Sequence, residues 1–289
     1  MSKTGSKKRK IDLVVISDIH LGTYGCQASE LLNYLRSIKP KKVILNGDII
    51  DIWQFKKSYW PKEHMQVIKH IIKWITDGVE VYYITGNHDE MLRRFVNFKI
   101  NSFKIVNKVV LKLDDKTAWF FHGDVFDVTM QHSKWLAKLG SNGYDLLILI
   151  NSLVNKISSF FGKGKISLSK KIKNSVKSAV KHINNFEKTA IDIAVENNFD
   201  YVVCGHIHHP KMETFQSLNK EVTYLNSGDW VENLTALEYH KSKWTIYKYD
   251  EDDFKSLNKE HDEHEGILEK SNKEIFNELL MDFNLIRPL

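Results

Sequence analysis

Aspartate, asparagine and histidine gather in this chain in five short clusters: Asp18-Ile19-His20, Gly47-Asp48, Gly86-Asn87-His88-Asp89, His122-Gly123-Asp124 and Gly205-His206-Ile207-His208. Carboxylate, amide oxygen and imidazole are hard or borderline donors that suit Mn, Fe, Zn or Mg, and no thiolate stands among them. In an extended segment the side chains of residues i and i+2 point the same way. On that basis Asp18 and His20 can converge on one ion, and His206 and His208 on a site nearby. The glycines before Asp48, Asn87 and His206 fit tight turns where strands break off. One such cluster alone reads as a helix cap or a surface residue. Five together point to a metal centre.

The elements that must position these clusters are legible as runs. Residues 11–17 (IDLVVIS) form an apolar, β-branched stretch of the kind that fills a buried central strand, and the stretch ends at Asp18. Residues 28–38 carry apolar side chains at helical spacing. Pro40 follows, then a second strand over 42–46 that ends at Gly47-Asp48. Pro61 opens a helix reaching about Thr76, and residues 79–85 give a third strand that ends at the Gly86–Asp89 cluster. Strand and helix in alternation imply parallel βαβ units, whose ligands bind beyond the carboxyl ends of the strands. Further strands are expected at 105–113, 117–121, 201–204, 211–215, 222–225, 234–240 and 244–249, the last four as antiparallel additions. The fold class is α/β with mixed sheets.

Residues 127–198 are too long for a loop and have helical character, with Ile172, Val176, Ala179, Val180, Ile183, Phe186 and Ala190 spaced by threes and fours beside a lysine face. They read as a helical cap inserted over the site. Residues 1–10 read as a disordered basic tail. Residues 251–289 read as a charged extension with an amphipathic helix near 275–283. A chain of 289 residues is long enough for a sizeable core, and its longest apolar stretch, 144–154, is too interrupted to span a bilayer. Two cysteines make no disulfide framework and fit a reducing cytoplasm. The net charge of +6 is uneven: residues 3–10 and 163–181 are basic and 250–269 acidic. A basic middle suggests an anionic partner such as a membrane face or a phosphate-bearing substrate, against the plain reading of a solvated lysine face. Nucleic acid is disfavoured, because the basic segments lack interleaved aromatic platforms.

The ordered set Asp-x-His, Gly-Asp, Gly-Asn-His-Asp, His-Gly-Asp and Gly-His-x-His resembles the motif series of the calcineurin-like metallophosphoesterases over about residues 11–249. The resemblance implies two packed β-sheets flanked by helices. It also implies that Asp18, His20 and His208 bind one divalent ion, that Asn87, His122 and His206 bind a second, and that Asp48 bridges them. Two such ions, about 3.5–4 Å apart, neutralise phosphoryl charge and acidify a water. Manganese is the first choice, with Fe, Zn or Mg as alternatives. His88 resembles the family histidine that contacts the phosphate and protonates the leaving oxygen. Asp89 would orient His88 or a ligand, or else stand at the start of a helix over 90–96. Asp124 would support a ligand or cap a cap-domain helix. Asp51 and Trp53 would line the pocket, Trp53 equally serving as packing. His132, His182 and His209 read as surface or core residues, and His261 and His264 as part of a solvated tail.

Within that superfamily the chain is similar to the UDP-diacylglucosamine pyrophosphohydrolase group. The likeness rests on Ser-Asp-Ile-His-Leu-Gly, Gly-Asp-Ile-Ile-Asp-Ile-Trp, the insertion after His-Gly-Asp, and Gly-His-Ile-His-His-Pro. It implies a lipid-linked nucleotide substrate cleaved to UMP and a lipid phosphate. A basic amphipathic cap over 134–181 would make peripheral contact with the inner face of the cell membrane. Three features depart from the group: His88 stands where arginine is expected, Val125-Phe126-Asp127 replaces a cysteine-bearing run, and residues 226–232 (NSGDWVE) resemble a neighbouring subgroup. Histidine suits an alkoxide leaving group, so a phosphodiesterase or phosphomonoesterase is the alternative. A non-enzymatic scaffold on this fold is the reading from another class, but every expected ligand type is present.

Overall fold

The strand β1 (Arg9–Ile16) shows why two layers form on either side of one sheet. Leu13, Val14, Val15 and Ile16 are all at most 1% exposed. Because side chains alternate across a strand, Val14 and Ile16 enter one core while Leu13 and Val15 enter another. Each such fully buried side chain contributes about 1.5–3 kcal/mol. The same alternation runs through β2 (Ile38–Asn46) and β3 (Glu80–Ile84): Val43, Leu45, Val81 and Tyr83 face the first core, and Ile44, Tyr82 and Ile84 the second.

The computed structural model describes residues 8–53, 59–126, 168–217 and 220–254. A seven-stranded sheet has the order β12-β11-β1-β2-β3-β5-β4, completed by β4 (Lys99–Ile100), β5 (Phe103–Val106), β11 (Thr235–His240) and β12 (Lys243–Lys248). The helices α1 (Ala28–Ser37) and α2 (Lys62–Thr76) supply Leu31, Leu35, Val67 and Ile71 to its first core. A five-stranded sheet, order β6-β7-β8-β10-β9, contains β6 (Lys108–Leu113), β7 (Lys116–Phe121), β8 (Tyr201–Cys204), β9 (Lys211–Gln216) and β10 (Glu221–Asn226). Its Phe120, Val203 and Leu225 meet Leu13, Ile44 and Leu237 in the second core, between the sheets. A long helix, α3 (Leu168–Glu196), follows the described part of β7 and its loop. Contacts among Cα atoms separate residues 123–190 as a second compact unit. No helix among the described residues is long and apolar enough to cross a membrane.

Several expectations need correction. The apolar run 105–113 is two strands: β5 pairs parallel to β3, and the chain passes to the other sheet at Asn107, whose side chain is held by Thr85 Oγ1 at 3.0 Å. Helix and strand meet directly at Ile38, and Pro40 lies within β2 opposite Ile11. Pairing with β3 starts only at Lys42, so the missing proline N–H falls where β2 has one neighbour. The late strands form antiparallel hairpins as expected, but β10 also pairs parallel to β8. The helix expected over 90–96 is a 3-10 helix, Glu90–Phe95. Strand β1 starts inside the segment read as a tail, at Arg9, which donates both guanidinium arms to Glu238 at 2.8 Å. The charged extension likewise starts as a 3-10 helix, Glu251–Phe254, with Phe254 stacked on Tyr249. The cap before residue 168, the helix near 275–283, His132, His261 and His264 lie outside the described residues.

Three strands are tied together by Glu80, at the start of β3, which binds Lys42 of β2 at 2.5 Å and Lys104 of β5 at 3.4 Å and accepts from the Tyr82 hydroxyl. Partial burial raises the Glu80 pKa, but the hydrogen bonds from Lys42 and Tyr82 prevail and hold it down at about 2. A depressed carboxylate stabilises the fold above its unfolded pKa of 4.5 and loses that contribution as pH falls toward 2. Glu80→Gln is therefore expected to lower the urea midpoint near neutrality, with the gap to the wild type closing in acid. A gap that stayed constant across that range would mean the carboxylate charge is irrelevant there.

Candidate metal centre

The five clusters follow the carboxyl ends of β1, β2, β3, β7 and β8, so strands from both sheets deliver them to one place. Backbone bonds lace the loops together: Asp18 N donates to Gly47 O, His20 N to Asp48 O, Leu21 N to Ile49 O, and Gly205 N to His122 O. Between the loops, His88 N donates to Asp48 Oδ1 at 2.8 Å and His206 N to Asp18 Oδ2 at 3.0 Å.

Asp18, His20, Asp48, His206 and His208 all have left-handed backbones, with φ of 51°, 54°, 53°, 67° and 50°. Such a conformation is uncommon for residues with a Cβ, and it collects where function over-determines the structure. It also corrects the expectation that Asp18 and His20 converge because their segment is extended; each is turned individually toward the centre. The glycines divide likewise. Gly47 serves both a turn, with φ of +83°, and close approach, since a Cβ there would collide with the His122 ring; Gly86 and Gly205 serve close approach, a Cβ there colliding with Asp48 Oδ1 and with Asp18 Oδ2.

Three groups of donor atoms lie within 4.8 Å of one another: Asp18, His20 and His208; Asp48, His122 and His206; and His20, Asp48 and His88. Asn87 joins through Oδ1, 3.3 Å from His122 Nε2. Of the sequence candidates, Asp18, His20, Asp48, Asn87, His88, His122, His206 and His208 are thus brought together. Asp89 is fully buried and fastens the loops: it accepts from Ile49 N at 3.0 Å, Gly86 N at 2.6 Å and the Tyr83 hydroxyl at 2.6 Å. Its side chain makes no helix cap. Asp124 belongs to the second unit and is half-buried. Trp53 is 69% exposed, so it is not packing, and His209 is exposed.

The residue underrated from sequence is Asp51, 1% exposed. Its Oδ2 lies 2.8 Å from His88 Nδ1 and 3.3 Å from His20 Nδ1. A carboxylate only accepts, so both Nδ1 atoms carry protons and both Nε2 atoms are left for other work. The spacing Asp48-x-x-Asp51 was the available signal. Segment 226–233 is the other addition. Asn226 Nδ2 donates to Gly205 O, Trp230 N to Asp18 O, and Asn233 Nδ2 to His208 O, while Ser17 and Ser227 share a hydroxyl bond at 2.6 Å. It braces the loops bearing Asp18, His206 and His208.

The donor set fits divalent ions. The Nδ1–H of His122 donates to Asn46 O at 2.8 Å, because a carbonyl cannot donate. Its Nε2 therefore faces Asp48 Oδ2 at 3.2 Å and Asn87 Oδ1 at 3.3 Å, an assembly of acceptors that a cation resolves. Buried His20 Nε2 has no hydrogen-bond donor or acceptor opposite it among the described residues. The buried carboxylates each face an imidazole nitrogen, His208 Nε2 at 3.2 Å for Asp18 and His122 Nε2 at 3.2 Å for Asp48, contacts that become ion pairs when a proton or a metal ion supplies the positive charge. Burial pushes both carboxyl pKa values up, yet the adjacent imidazoles outweigh it and hold both below the usual range. For His208 the balance runs the same way: burial lowers its pKa, Asp18 raises it, and the result is about 9. The centre is built for positive charge.

Residues 11–210 match the family described as calcineurin-like phosphoesterase. A UDP-2,3-diacylglucosamine hydrolase of Aliivibrio fischeri is 23% identical over 82% of this chain and 98% of its own length. The enzyme of the same name from Photorhabdus laumondii is 25% identical over 74% and 89%. An archaeal phosphodiesterase of known structure is similar at a TM-score of 0.41 and 12% identity, over 82% of this chain and 98% of that one.

Proposed function

This chain belongs to the calcineurin-like phosphoesterase family, and from that premise we propose that it cleaves the pyrophosphate of UDP-2,3-diacylglucosamine, or of a similar lipid-linked nucleotide, to UMP and a lipid phosphate. It is a metal-dependent phosphoesterase. In the proposed centre Asp18, His20 and His208 hold one divalent ion, Asn87, His122 and His206 hold the other, and Asp48 is common to both. Manganese is the expected metal. The ions supply charge neutralisation for phosphoryl oxygens and a water acidic enough to ionise near neutrality. The observation carrying this reading is that Asp48 shares one donor group with His122 and His206 and another with His20 and His88.

The chain's own residues do the rest. Asp51 keeps the proton of His88 on Nδ1, so Nε2 is the atom presented for phosphate contact or for protonating the leaving oxygen. Burial lowers the His88 pKa, but the bond from Asp51 and the charge of Asp48 raise it overall, which favours the protonated, phosphate-binding form. Asp89 and segment 226–233 keep the loops from parting, and Asp124 is assigned a supporting role. The 127–198 insertion is assigned as the cap, in a cytoplasmic enzyme whose basic stretch 134–181 meets an anionic membrane face; residues 134–167 of it lie outside the described part of the structure.

A second reading, phosphodiester or phosphomonoester hydrolysis, is favoured by His88 itself, since a proton donor matters most when the leaving group is an alkoxide. Manganese-loaded protein offered UDP-2,3-diacylglucosamine and a chromogenic phosphodiester in parallel is expected to release UMP. Brisk turnover of the phosphodiester with no UMP would transfer the assignment to the second reading.

A further inference from the structure

Asp229 is a fully buried carboxylate in the segment behind the metal loops. Its Oδ1 accepts from three successive backbone amides, Val231 N at 2.8 Å, Glu232 N at 2.5 Å and Asn233 N at 3.2 Å, and its Oδ2 from Asn233 Nδ2 at 2.5 Å. The turn that presents it is fixed on both flanks. Gly228 N donates to Asn226 Oδ1 and Thr235 N to Asp229 O, and a Cβ on Gly228 would collide with Thr235 Oγ1.

A buried ionised carboxylate is costly unless positive charge compensates it. All four donors to Asp229 are neutral amides, which hold the group in place and bring no charge to balance it. The metal centre is the neighbour that can supply it. Asn233 Nδ2 bonds Asp229 Oδ2 on one side and His208 O, at 2.9 Å, on the other, while Trp230 N, one residue on, donates to Asp18 O at 3.1 Å. The field of Asp229 also reaches the imidazole: burial lowers the His208 pKa, and Asp18, Asp229 and Asp48 raise it.

The arrangement parallels that behind His20, whose Nδ1 faces Asp51 Oδ2 at 3.3 Å. Both imidazoles assigned to the first ion thus have a carboxylate behind them. His122, assigned to the second ion, has instead a neutral carbonyl, Asn46 O at 2.8 Å.

We propose that Asp229 is a positioning residue of the metal centre: through Asn233 it fixes the His208 loop, and its buried charge strengthens cation binding by Asp18, His20 and His208. This role rests on the two-ion reading and deepens it, and it does not depend on which phosphoester is cleaved. A carboxylate behind a ligand raises the ligand's basicity and sets its orientation. A turn cap needs neither effect, since an asparagine oxygen would accept the same backbone amides.

The full-length protein, stripped of metal by chelation and titrated with Mn in a calorimeter, separates charge from bracing. Asp229→Asn and Asn233→Ala both break the link from Asp229 to His208 O, but only the first removes the charge. Asp229→Asn is expected to weaken one of the two Mn equivalents about 10–100-fold and to leave the other little changed. Asn233→Ala should weaken the same equivalent by less, although its metal-free Tm is no higher than that of Asp229→Asn. A wild type that binds no Mn would sink the metal centre and this role with it. With two equivalents in the wild type, unchanged affinities in Asp229→Asn would overturn the role of Asp229 alone. So would equal losses in the two variants, a loss spread evenly over both equivalents, or an Asp229→Asn chain that fails to fold, which would mark the carboxylate as a structural cap.

Discussion

Asp48→Asn is expected to reduce bound divalent metal to one equivalent or less and to lower kcat/KM by roughly three orders of magnitude, since metal ions supply several kcal/mol of transition-state charge stabilisation. The substitution keeps shape. An asparagine Oδ1 still accepts from His88 N, as Asp48 Oδ1 does at 2.8 Å, so the loop after β3 stays docked. What disappears is the negative charge facing His122 Nε2 at 3.2 Å and shared with His20, His88 and His206. The change is cleaner than Asp48→Ala, which would also orphan the His88 amide. Two measurements check it independently of turnover: metal content after dialysis, and the rise in Tm when Mn is added, which should shrink in the variant. Two tightly held equivalents in Asp48→Asn would remove the carboxylate from its proposed position between the ions.

The donor types of that centre were legible because each sits where an apolar run stops, and a strand must end in a loop. IDLVVIS ending at Asp18 and KVILN ending at Gly47-Asp48 announce both the strands and the chemistry beyond them. What brings the donors together was less legible. Left-handed φ at Asp18, His20, Asp48, His206 and His208 has only a weak signature in residue type: aspartate and histidine are enriched there, but none of these is glycine. Gly86 and Gly205 looked like turn residues and are instead gaps left for carboxylate oxygens. The importance of Asp51 depends on the loops after β2 and β3 meeting, through Ile52 N to His88 O, and a contact between loops is not written in either loop alone. The change of sheet falls at Asn107, between β5 and β6, and the run 105–113 gave no periodicity that marked it.

His88 separates the two readings of substrate, and its leaving-group dependence is the sharpest consequence of the geometry. With the proton fixed on Nδ1 by Asp51 at 2.8 Å, Nε2 can donate only if the ring is doubly protonated, the form that Asp51 and Asp48 favour. For an alkyl phosphodiester, whose alkoxide needs a proton, His88→Gln should cost roughly 10²–10⁴-fold in kcat. For a nitrophenyl ester or a pyrophosphate, whose leaving groups depart as stable anions, the loss should be far smaller and should fall mainly on KM. Asp51→Asn should reproduce the pattern at roughly 10–100-fold, the usual effect of removing a partner that orients a ligand. It also releases His20, whose Nδ1 lies 3.3 Å from the same oxygen, so metal content must be followed in parallel. Equal losses across all leaving groups in His88→Gln, with metal retained, would make His88 a phosphate-positioning residue and remove the main argument for an alkoxide substrate. A steep dependence on leaving-group pKa, abolished in His88→Gln, would make it the proton donor. The histidine would then explain why this chain departs from the arginine expected at that position for pyrophosphate cleavage.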